Sequence, residues 1–433
     1  MKFRVEGIYD AKKLGIPQML ILGLQHMFAM FGATILVPIL VNNYFHGEGL
    51  SIQVTLFCAG FGTLLFHVLT KLKVPAFLGS SFAFLGGFAT VAELDTGIFA
   101  NMSYGEKLPY ACGGVFVAGL LYLVLAMIVK VIGVKRVMRY LPPVVTGPII
   151  ICIALIALGT VIFFNIWGVG MFRIIPILMG IVVSYVVALI MNALGMTNAD
   201  GSAILSFAGV ASAPIVGVPK FFLCKFNITA ILAMAPIAIA SMMEHIGDIS
   251  AISATVDRNF IEDPGLHRTL LGDGLATSLS ALIGGPANTT YGENTSVLAL
   301  SRVYDPKVIR LAAIYAVILS FIPKMAEVIS SLPSAIIGGI SFILYGMISA
   351  VGVRNVVENK VDLTRSRNLV ITAVILVCGL GISDGLTFTI AGAHITLTGL
   401  ALAAIVGILL NAVLPGNDYV FETAKKKEEM EDD

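Results

Sequence analysis

Long apolar runs dominate the chain, and polar residues are confined to short stretches between them. Ten runs approach the roughly 20 residues that an α-helix needs to cross a bilayer. They cover residues 17–41, 51–70, 109–131, 142–164, 174–193, 228–250, 308–330, 333–353, 366–384 and 395–414. Four shorter runs, interrupted by Gly, Ser or Pro, cover residues 75–92, 202–219, 271–285 and 286–301. The pattern predicts an all-α polytopic membrane protein with 14 transmembrane segments.

Composition supports this class and excludes others. Of the 433 residues, 58% are hydrophobic and only 12% are charged, whereas soluble domains carry about 25% charged residues. The net charge of +1 leaves no large basic face for nucleic acid. The five cysteines are far apart without a C-x-x-C pair, so no metal site is predicted, and no cofactor motif is present. We expect lipid to surround the molecule.

The distribution of basic residues predicts the orientation. If the N-terminus is cytoplasmic and every run crosses once, 22 of the 27 Lys and Arg residues fall on the cytoplasmic side. Cytoplasmic loops of membrane proteins carry such an excess. The pattern therefore predicts a multi-pass membrane protein with both termini in the cytoplasm.

Fourteen segments divide into two halves of seven. Because seven is odd, the second half enters the membrane from the opposite side, which predicts an inverted repeat. The third segment opens with Pro75–Phe82 and the tenth with Pro286–Glu293, and each breaks near the seventh residue after its proline. Interrupted segments at corresponding positions of two halves are typical of a binding site near the bilayer midplane. We therefore expect breaks in segments 3 and 10 that form two halves of a substrate site.

Four acidic residues lie at depth within the predicted segments: Glu244, Asp248, Asp273 and Glu293. Such residues are costly in a bilayer and usually face a cavity or a partner. Glu244 and Asp248 are four residues apart and share one helix face, so repulsion and burial both favour protonation of at least one carboxyl. This chemistry suits proton coupling. Asp273 is the one we expect to serve as a contact between helices.

Two histidines also lie at depth. His26 is in the first segment, where either a structural hydrogen bond or a place in the site is compatible with the pattern. His245 follows Glu244 and points about 100° away from it, so we expect it to pack elsewhere. Two carboxylates can accept N–H groups of a small planar ligand, while backbone amides at the breaks can donate to its carbonyls. Uracil and oxopurines have such edges, but so do some amides and anions.

Several motifs resemble the nucleobase-ascorbate transporters, also called nucleobase-cation symporters type 2, and within them the uracil:proton symporters. The matching stretches are Leu24–Thr34, Val74–Phe84, Glu244–Asp248, Asp263–Arg268, Pro286–Asn294 and Gly352–Asp362. They span nearly the whole chain in one order. The resemblance implies import of uracil with a proton as the coupling ion, and a possible homodimer formed through the gate domain.

The resemblance also implies a place in a bacterial cytoplasmic membrane and short strand-like breaks in segments 3 and 10. It further implies a division into two domains and a set of site residues. Segments 1–4 and 8–11, at 17–131 and 220–330, form the core domain; segments 5–7 and 12–14, at 132–219 and 331–414, form the gate domain; residues 1–16 and 415–433 are cytoplasmic. Glu244 and Glu293 would hold the base, and the amides of Phe82 and Gly292 would bind its carbonyls. Tyr291 would lie beside the site, with His26 in the surrounding hydrogen-bond network.

One position departs from the uracil branch. A well-known uracil symporter has a histidine where this chain has Asp248, and many purine and urate members have an aspartate there, so a xanthine or urate symporter remains an alternative. Glu293 favours uracil, since many purine members carry a glutamine. A channel or anion carrier of the same fold is less compatible, because segments 3 and 10 contain no Lys or Arg before Arg302. The elbow-like Gly381–Gly385 ends a helix, so we predict no catalytic residue and no enzyme.

Overall fold

The computed structural model describes residues 7–133, 207–331, 361–382, 385–390 and 393–416, with a few isolated positions at 185–205 and 352–357. The segments predicted at 142–164, 174–193 and 333–353 lie mostly or wholly outside these residues. Among the described residues, four helices are long and apolar enough to cross a membrane, or five if one bent pair is counted as a single span.

The first part of the chain contains α1 (Ile16–Tyr44), α2 (Ile52–Leu69), β1 (Leu78–Ser80), α3 (Leu85–Ala92) and α4 (Tyr104–Ile132). Local signals set several of these bounds. Ser51 caps α2, and a capping box of Ser103 with Glu106 begins α4. The third segment is a strand followed by a short helix, so the break predicted from sequence is present and is strand-like as the resemblance implies.

The second part contains α5 (Ala208–Ser212), α6 (Ile228–Met234), α7 (Ile237–Val256), α8 (Leu266–Leu282), β2 (Asn288–Thr290), α9 (Gly292–Ser301), α10 (Pro306–Ser320) and α11 (Pro323–Ser330). The last described part contains α12 (Ser366–Gly381), β3 (Leu386–Ile390), β4 (Ala393–Leu397) and α13 (Gly399–Val413). The tenth segment again is a strand followed by a helix.

The two parts interlock around these broken segments. α2 packs against α10, and in the same way α8 packs against α4. Each strand contacts the helix that precedes it in the chain: β1 contacts α2, and β2 contacts α8. The exchange of partners between the two parts surrounds both strands with helices.

Three predicted segments differ from the structure. The run at 308–330 bends by 86° between α10 and α11, because a residue before proline disfavours helical angles and Ile322 precedes Pro323. The run at 395–414 begins in strand β4, and its helix starts only after the cap Thr398. The described residues of the run at 202–219 are helical only in α5.

The N-terminal residues dock onto one end of this assembly. Ile8 forms a parallel bridge with Val303, and the Tyr9 hydroxyl donates to Val256 O at 2.8 Å. Lys307 Nζ lies 3.2 Å from Asp10 Oδ1. These contacts join the N-terminus to the end of α7, to Val303 just after α9, and to the start of α10.

Candidate substrate-binding site

The two broken segments meet as a short antiparallel ribbon. The paired residues are Leu78 with Thr290, Gly79 with Thr289, and Ser80 with Asn288. At one end Ser81 N donates to Ala287 O at 2.8 Å. At the other end Tyr291 N donates to Phe77 O at 3.0 Å. The ribbon joins residues more than two hundred positions apart and is buried throughout.

Each strand is followed by a helix, but only β2 leads into one directly. A turn at residues 81–84, which contains Phe82, connects β1 to α3, whereas Tyr291 alone separates β2 from α9, which begins at Gly292. The first N–H groups of a helix have no partner within it. Of the two sequence-predicted amides, that of Gly292 belongs to the first turn of α9, and that of Phe82 lies in the turn between β1 and α3. Glu293 lies in the first turn of α9 and is partly exposed.

Tyr291 fastens the ribbon to α1. Its hydroxyl donates to Ser80 O at 2.9 Å and lies 3.2 Å from Ser80 Oγ. Ser80 Oγ also donates to Thr34 O on α1 at 2.9 Å. A Cβ added at Gly79 would collide with the Tyr291 ring, so only glycine permits this close approach. The ring packs against the ribbon from the side of α1.

α7 brings two carboxylates to the same region. Glu244 is 9% exposed, and one of its carboxylate oxygens has no hydrogen-bond partner among the described residues. Asp248 is 4% exposed and accepts a hydrogen bond from the Thr290 hydroxyl of β2 at 3.0 Å. Glu244 lies within electrostatic range of Asp248 and of Glu293. The carboxylates of α7 and α9 thus share one environment beside the ribbon.

His26 and Asn294 form a second polar contact between α1 and α9. The Asn294 amide donates to His26 O at 3.0 Å and lies 3.2 Å from His26 Nδ1. Both residues are buried, and His26 Nε2 has no partner among the described residues. Asn294 follows Glu293, so this contact orients the first turn of α9.

His245 of α7 and Asp273 of α8 form a buried pair, and Asp273 lies within electrostatic range of Glu244 and Asp248. His245 Nδ1 lies 3.0 Å from Asp273 Oδ2 of α8, and both side chains are fully buried. The edge of the His245 ring also faces Phe66, with centroids 6.2 Å apart. The prediction that Asp273 makes a contact between helices is confirmed, and its partner is His245.

The structure brings the sequence-predicted residues of segments 1, 3, 8 and 10 around one ribbon. Sequence reasoning missed three hydroxyl groups in this network, those of Thr34, Ser80 and Thr290. The threonines of the stretch before Tyr291 were a usable signal, because hydroxyl groups beside buried carboxylates commonly supply their hydrogen bonds. Nothing in the local sequence identifies Thr34 as a partner of Ser80 and Tyr291.

Comparison with protein families decides the relationship. A model described as "Permease family" matches residues 17–164 and 156–388, which include every residue of the site. The chain belongs to this permease family, the nucleobase-cation symporters type 2. It is accordingly a multi-pass helical membrane transporter rather than an enzyme.

Relatives of known name cover nearly the whole chain. The uracil permease of Bacillus caldolyticus is 40% identical over 96% of this chain and 96% of its own length. The uracil permease of Bacillus subtilis (strain 168) is 39% identical over 90% and 91%. That of Escherichia coli (strain K12) is 35% identical over 90% of each.

Solved structures of membrane transporters share the fold. The transmembrane domain of the cyanobacterial bicarbonate transporter BicA aligns with a TM-score of 0.50 at 13% identity, over 94% of this chain and all of that one. The murine anion transporter Slc26a9 aligns with a TM-score of 0.55 at 11% identity, over 95% of this chain and 69% of that one. At such low identity the likeness concerns the fold alone.

Proposed function

We propose that this protein imports uracil by proton symport across the cytoplasmic membrane of a bacterial cell. The 40% identity to a uracil permease over almost the full length supports this substrate. The observation that carries the mechanism is structural: α7 and the first turn of α9 bring Glu244 and Glu293 into electrostatic range of each other, beside the ribbon formed by β1 and β2. The edge of a uracil ring carries N–H donors and carbonyl acceptors, which match the carboxylates and backbone N–H groups of the site.

Glu244 and Glu293 would accept the N–H groups of the base, and the amides of Phe82 and Gly292 would donate to its carbonyl oxygens. One Glu244 oxygen has no partner in the described part of the chain, which supports this role, because a buried acceptor without a partner is costly unless a ligand or water satisfies it. Tyr291 would hold the ribbon beside the ligand. An analogue that leaves one of these groups unpaired would lose about 1–3 kcal/mol per group.

The proton would be the coupling ion, and the mechanism requires no cofactor, metal or catalytic residue. Asp248 and His26 would complete the proton-coupling network with the two glutamates. Asp248 supports this, because it interacts with Glu244 through charge while its hydrogen bond to Thr290 ties it to the ribbon. Uptake of a proton by this group of carboxylates would offset their mutual repulsion when the base binds.

The proposed architecture has fourteen segments in a seven-plus-seven inverted repeat. The core domain at 17–131 and 220–330 would carry the site and move against the gate domain at 132–219 and 331–414. Strand-then-helix segments at corresponding places, with partner helices exchanged between the two parts, support the repeat. Both termini would be cytoplasmic, lipid would surround the molecule, and two copies would pair through the gate domain.

Uptake into proteoliposomes tests this function. With an inward proton gradient, labelled uracil should accumulate, and a protonophore should abolish accumulation. Glu244→Ala and Glu293→Ala should each lose uptake, since each removes a proposed acceptor. If both variants transported like the parent protein, the assignment of the site would be wrong.

A competition panel tests the substrate against the purine alternative that Asp248 raises. Unlabelled uracil and 5-fluorouracil should compete with labelled uracil, whereas xanthine, urate and ascorbate should not. Competition by xanthine or urate at lower concentrations than uracil would instead identify a purine symporter of the same family.

A further inference from the structure

The ribbon has outward-facing backbone groups that its own pairing does not satisfy. In an antiparallel ladder, positions alternate between groups directed at the partner strand and groups directed away from it. The hydrogen bonds at the two ends fix this alternation, so the backbone N–H and C=O groups of Gly79 and Thr289 are directed at each other. Leu78 and Asn288 consequently direct their N–H and C=O groups outward. Within a membrane protein each such group needs another partner.

One threonine hydroxyl satisfies each of these outward positions. Leu78 N donates to Thr63 Oγ1 at 2.9 Å, and the Thr63 hydroxyl donates back to Leu78 O at 3.1 Å. Thr277 does the same for Asn288, with 3.1 Å in both directions. All four residues are fully or almost fully buried. Each hydroxyl therefore acts on its strand as the next strand of a sheet would. We call this pair of hydrogen bonds, from Thr63 to Leu78 and from Thr277 to Asn288, a hydroxyl clamp.

A second side-chain contact holds the backbone two residues before each clamped position. His67 Nε2 lies 2.9 Å from Ala76 O, and the Ser280 hydroxyl donates to Pro286 O at 2.5 Å. Ala76 and Pro286 each precede the clamped residue by two positions. His67 and Ser280 each lie about one helical turn after the clamping threonine. Equivalent helices in the two parts thus hold equivalent strand positions at two points.

The clamped residues stand in a fixed relation to the proposed substrate amides. Phe82 follows Leu78 by four residues, and Gly292 follows Asn288 by four residues. We propose that Thr63 and Thr277 are positioning residues of the binding site, whose hydroxyls hold the ribbon so that both amides point at the substrate. This inference rests on the proposed function, because it assigns the two amides to uracil.

The two threonines differ in one respect. The Thr63 hydroxyl also lies 2.8 Å from Ala59 O in its own helix, so its single proton is shared between two acceptors. The Thr277 hydroxyl has no second acceptor among the hydrogen bonds of the described residues. Loss of Thr277 should therefore affect its strand more than loss of Thr63.

Valine and serine variants separate the hydroxyl from the shape of the side chain. Thr63→Val and Thr277→Val keep the branched shape but remove the hydroxyl, whereas Thr63→Ser and Thr277→Ser keep the hydroxyl. Thr55→Val is the matched control, because Thr55 is a buried residue of α2 whose hydroxyl bonds to Ser51 O at 2.9 Å, away from the ribbon. Binding of labelled uracil to purified full-length protein is measured together with its thermal melting temperature.

We expect each valine variant to bind uracil about tenfold more weakly, with the larger effect at Thr277, as loss of one buried hydrogen-bond partner predicts. The serine variants and Thr55→Val should bind within about twofold of the parent, a change of only about 0.4 kcal/mol. Parent-like binding by both folded valine variants would overturn the proposal. Serine variants as weak as the valine variants would also overturn it, because shape and not the hydroxyl would then matter.

Hydrogen exchange read by mass spectrometry decides the case in which a variant folds poorly or the parent does not bind uracil. The measurement compares peptides that contain Leu78 and Asn288 without ligand. Faster exchange in these peptides for the valine variants, restored by serine, supports the clamp on its own. Unchanged exchange overturns it. Failure of the parent to bind uracil, with the clamp intact in exchange, would count against the proposed function alone.

Discussion

At the scale of single residues, the site depends on polar groups that reach across between helices. Asp248 accepts a hydrogen bond from Thr290, while Glu244, on the same face of α7, keeps one oxygen without a partner among the described residues. One turn of helix thus separates a carboxylate that is occupied by the protein from one that is open to a ligand. This difference assigns anchoring to Asp248 and substrate contact to Glu244 under the proposed function.

Replacement of Asp248 separates these two roles. Asp248→Asn keeps an oxygen that accepts the Thr290 hydroxyl but removes the charge, so uracil binding should stay within about threefold of the parent. Accumulation driven by a proton gradient should fall strongly. Asp248→Ala should lose both activities. Binding and gradient-driven uptake are compared in the same proteoliposomes, and parent-like accumulation by the Asn variant would contradict a coupling role.

The buried pair of His245 and Asp273 allows a prediction about stability. Removal of either partner leaves the other buried without a partner, which costs about 1–3 kcal/mol. His245→Ala and Asp273→Ala should each lower the melting temperature of the purified protein. The double variant should lose much less than the sum of the single losses, because the second substitution removes no further contact. Additive losses would show that the two side chains act independently.

At the scale of elements, the local sequence identifies some features and not others. Pro, Gly, Asn and Thr residues after Pro75 and Pro286 predict broken segments, and β1 and β2 lie at those breaks. Local sequence carries that signal because such residues disfavour a continuous helix. The hydroxyl clamp of Thr63 has no such signal, since its partner strand is identified only once the chain is folded.

Apolar runs also hide changes of direction and type. Hydropathy alone does not distinguish the bent pair α10 and α11 from one straight span, although Pro323 marks the bend. β3 and β4 pair over five residues each, but their mixture of Thr and apolar residues joins the flanking apolar runs. The carboxylates were identifiable from sequence because a charge at depth is rare. Their hydrogen-bond partners required the structure.

The N-terminal segment is an element that the sequence did not predict to dock. The backbone N–H of Lys12 and the Lys307 ammonium hold the pKa of Asp10 below its usual range. Because folding lowers this pKa, the ionised Asp10 stabilises the docked segment fully above the usual aspartate range. This stabilisation is lost as the pH falls through the folded value. Asp10→Asn should remove it at neutral pH.

Limited proteolysis and hydrogen exchange of residues 7–14 measure this docking. Asp10→Asn should increase exchange in this segment at neutral pH, and the parent should approach the variant only in acid. Glu106→Gln is the control, because Glu106 caps α4, far along the chain from the N-terminus, and its pKa is also lowered, chiefly by the Ser103 backbone N–H. Equal exchange in the parent and Asp10→Asn at neutral pH would contradict the docking role.

At the scale of the whole molecule, long-range contacts agree with the alternation of loops predicted from charge. Loops predicted to be cytoplasmic contact one another, as in the hydrogen bonds from Lys73 to Asp263 at 2.5 and 2.7 Å and the docking of Tyr9 on Val256. Loops predicted to lie outside also meet, where Gly105 N donates to Glu48 at 2.7 Å. Loops from opposite sides of a bilayer would be about 30 Å apart.

Cysteine labelling tests this orientation directly. Asn101 and Glu262 are both exposed and lie in loops predicted to face opposite sides. A membrane-impermeant maleimide should label Asn101→Cys in intact cells but should label Glu262→Cys only after permeabilisation, because the reagent does not cross the bilayer. The parent measures background from its five cysteines. Labelling of both positions from outside, or the reverse pattern, would contradict cytoplasmic termini, since one lost segment inverts every later loop.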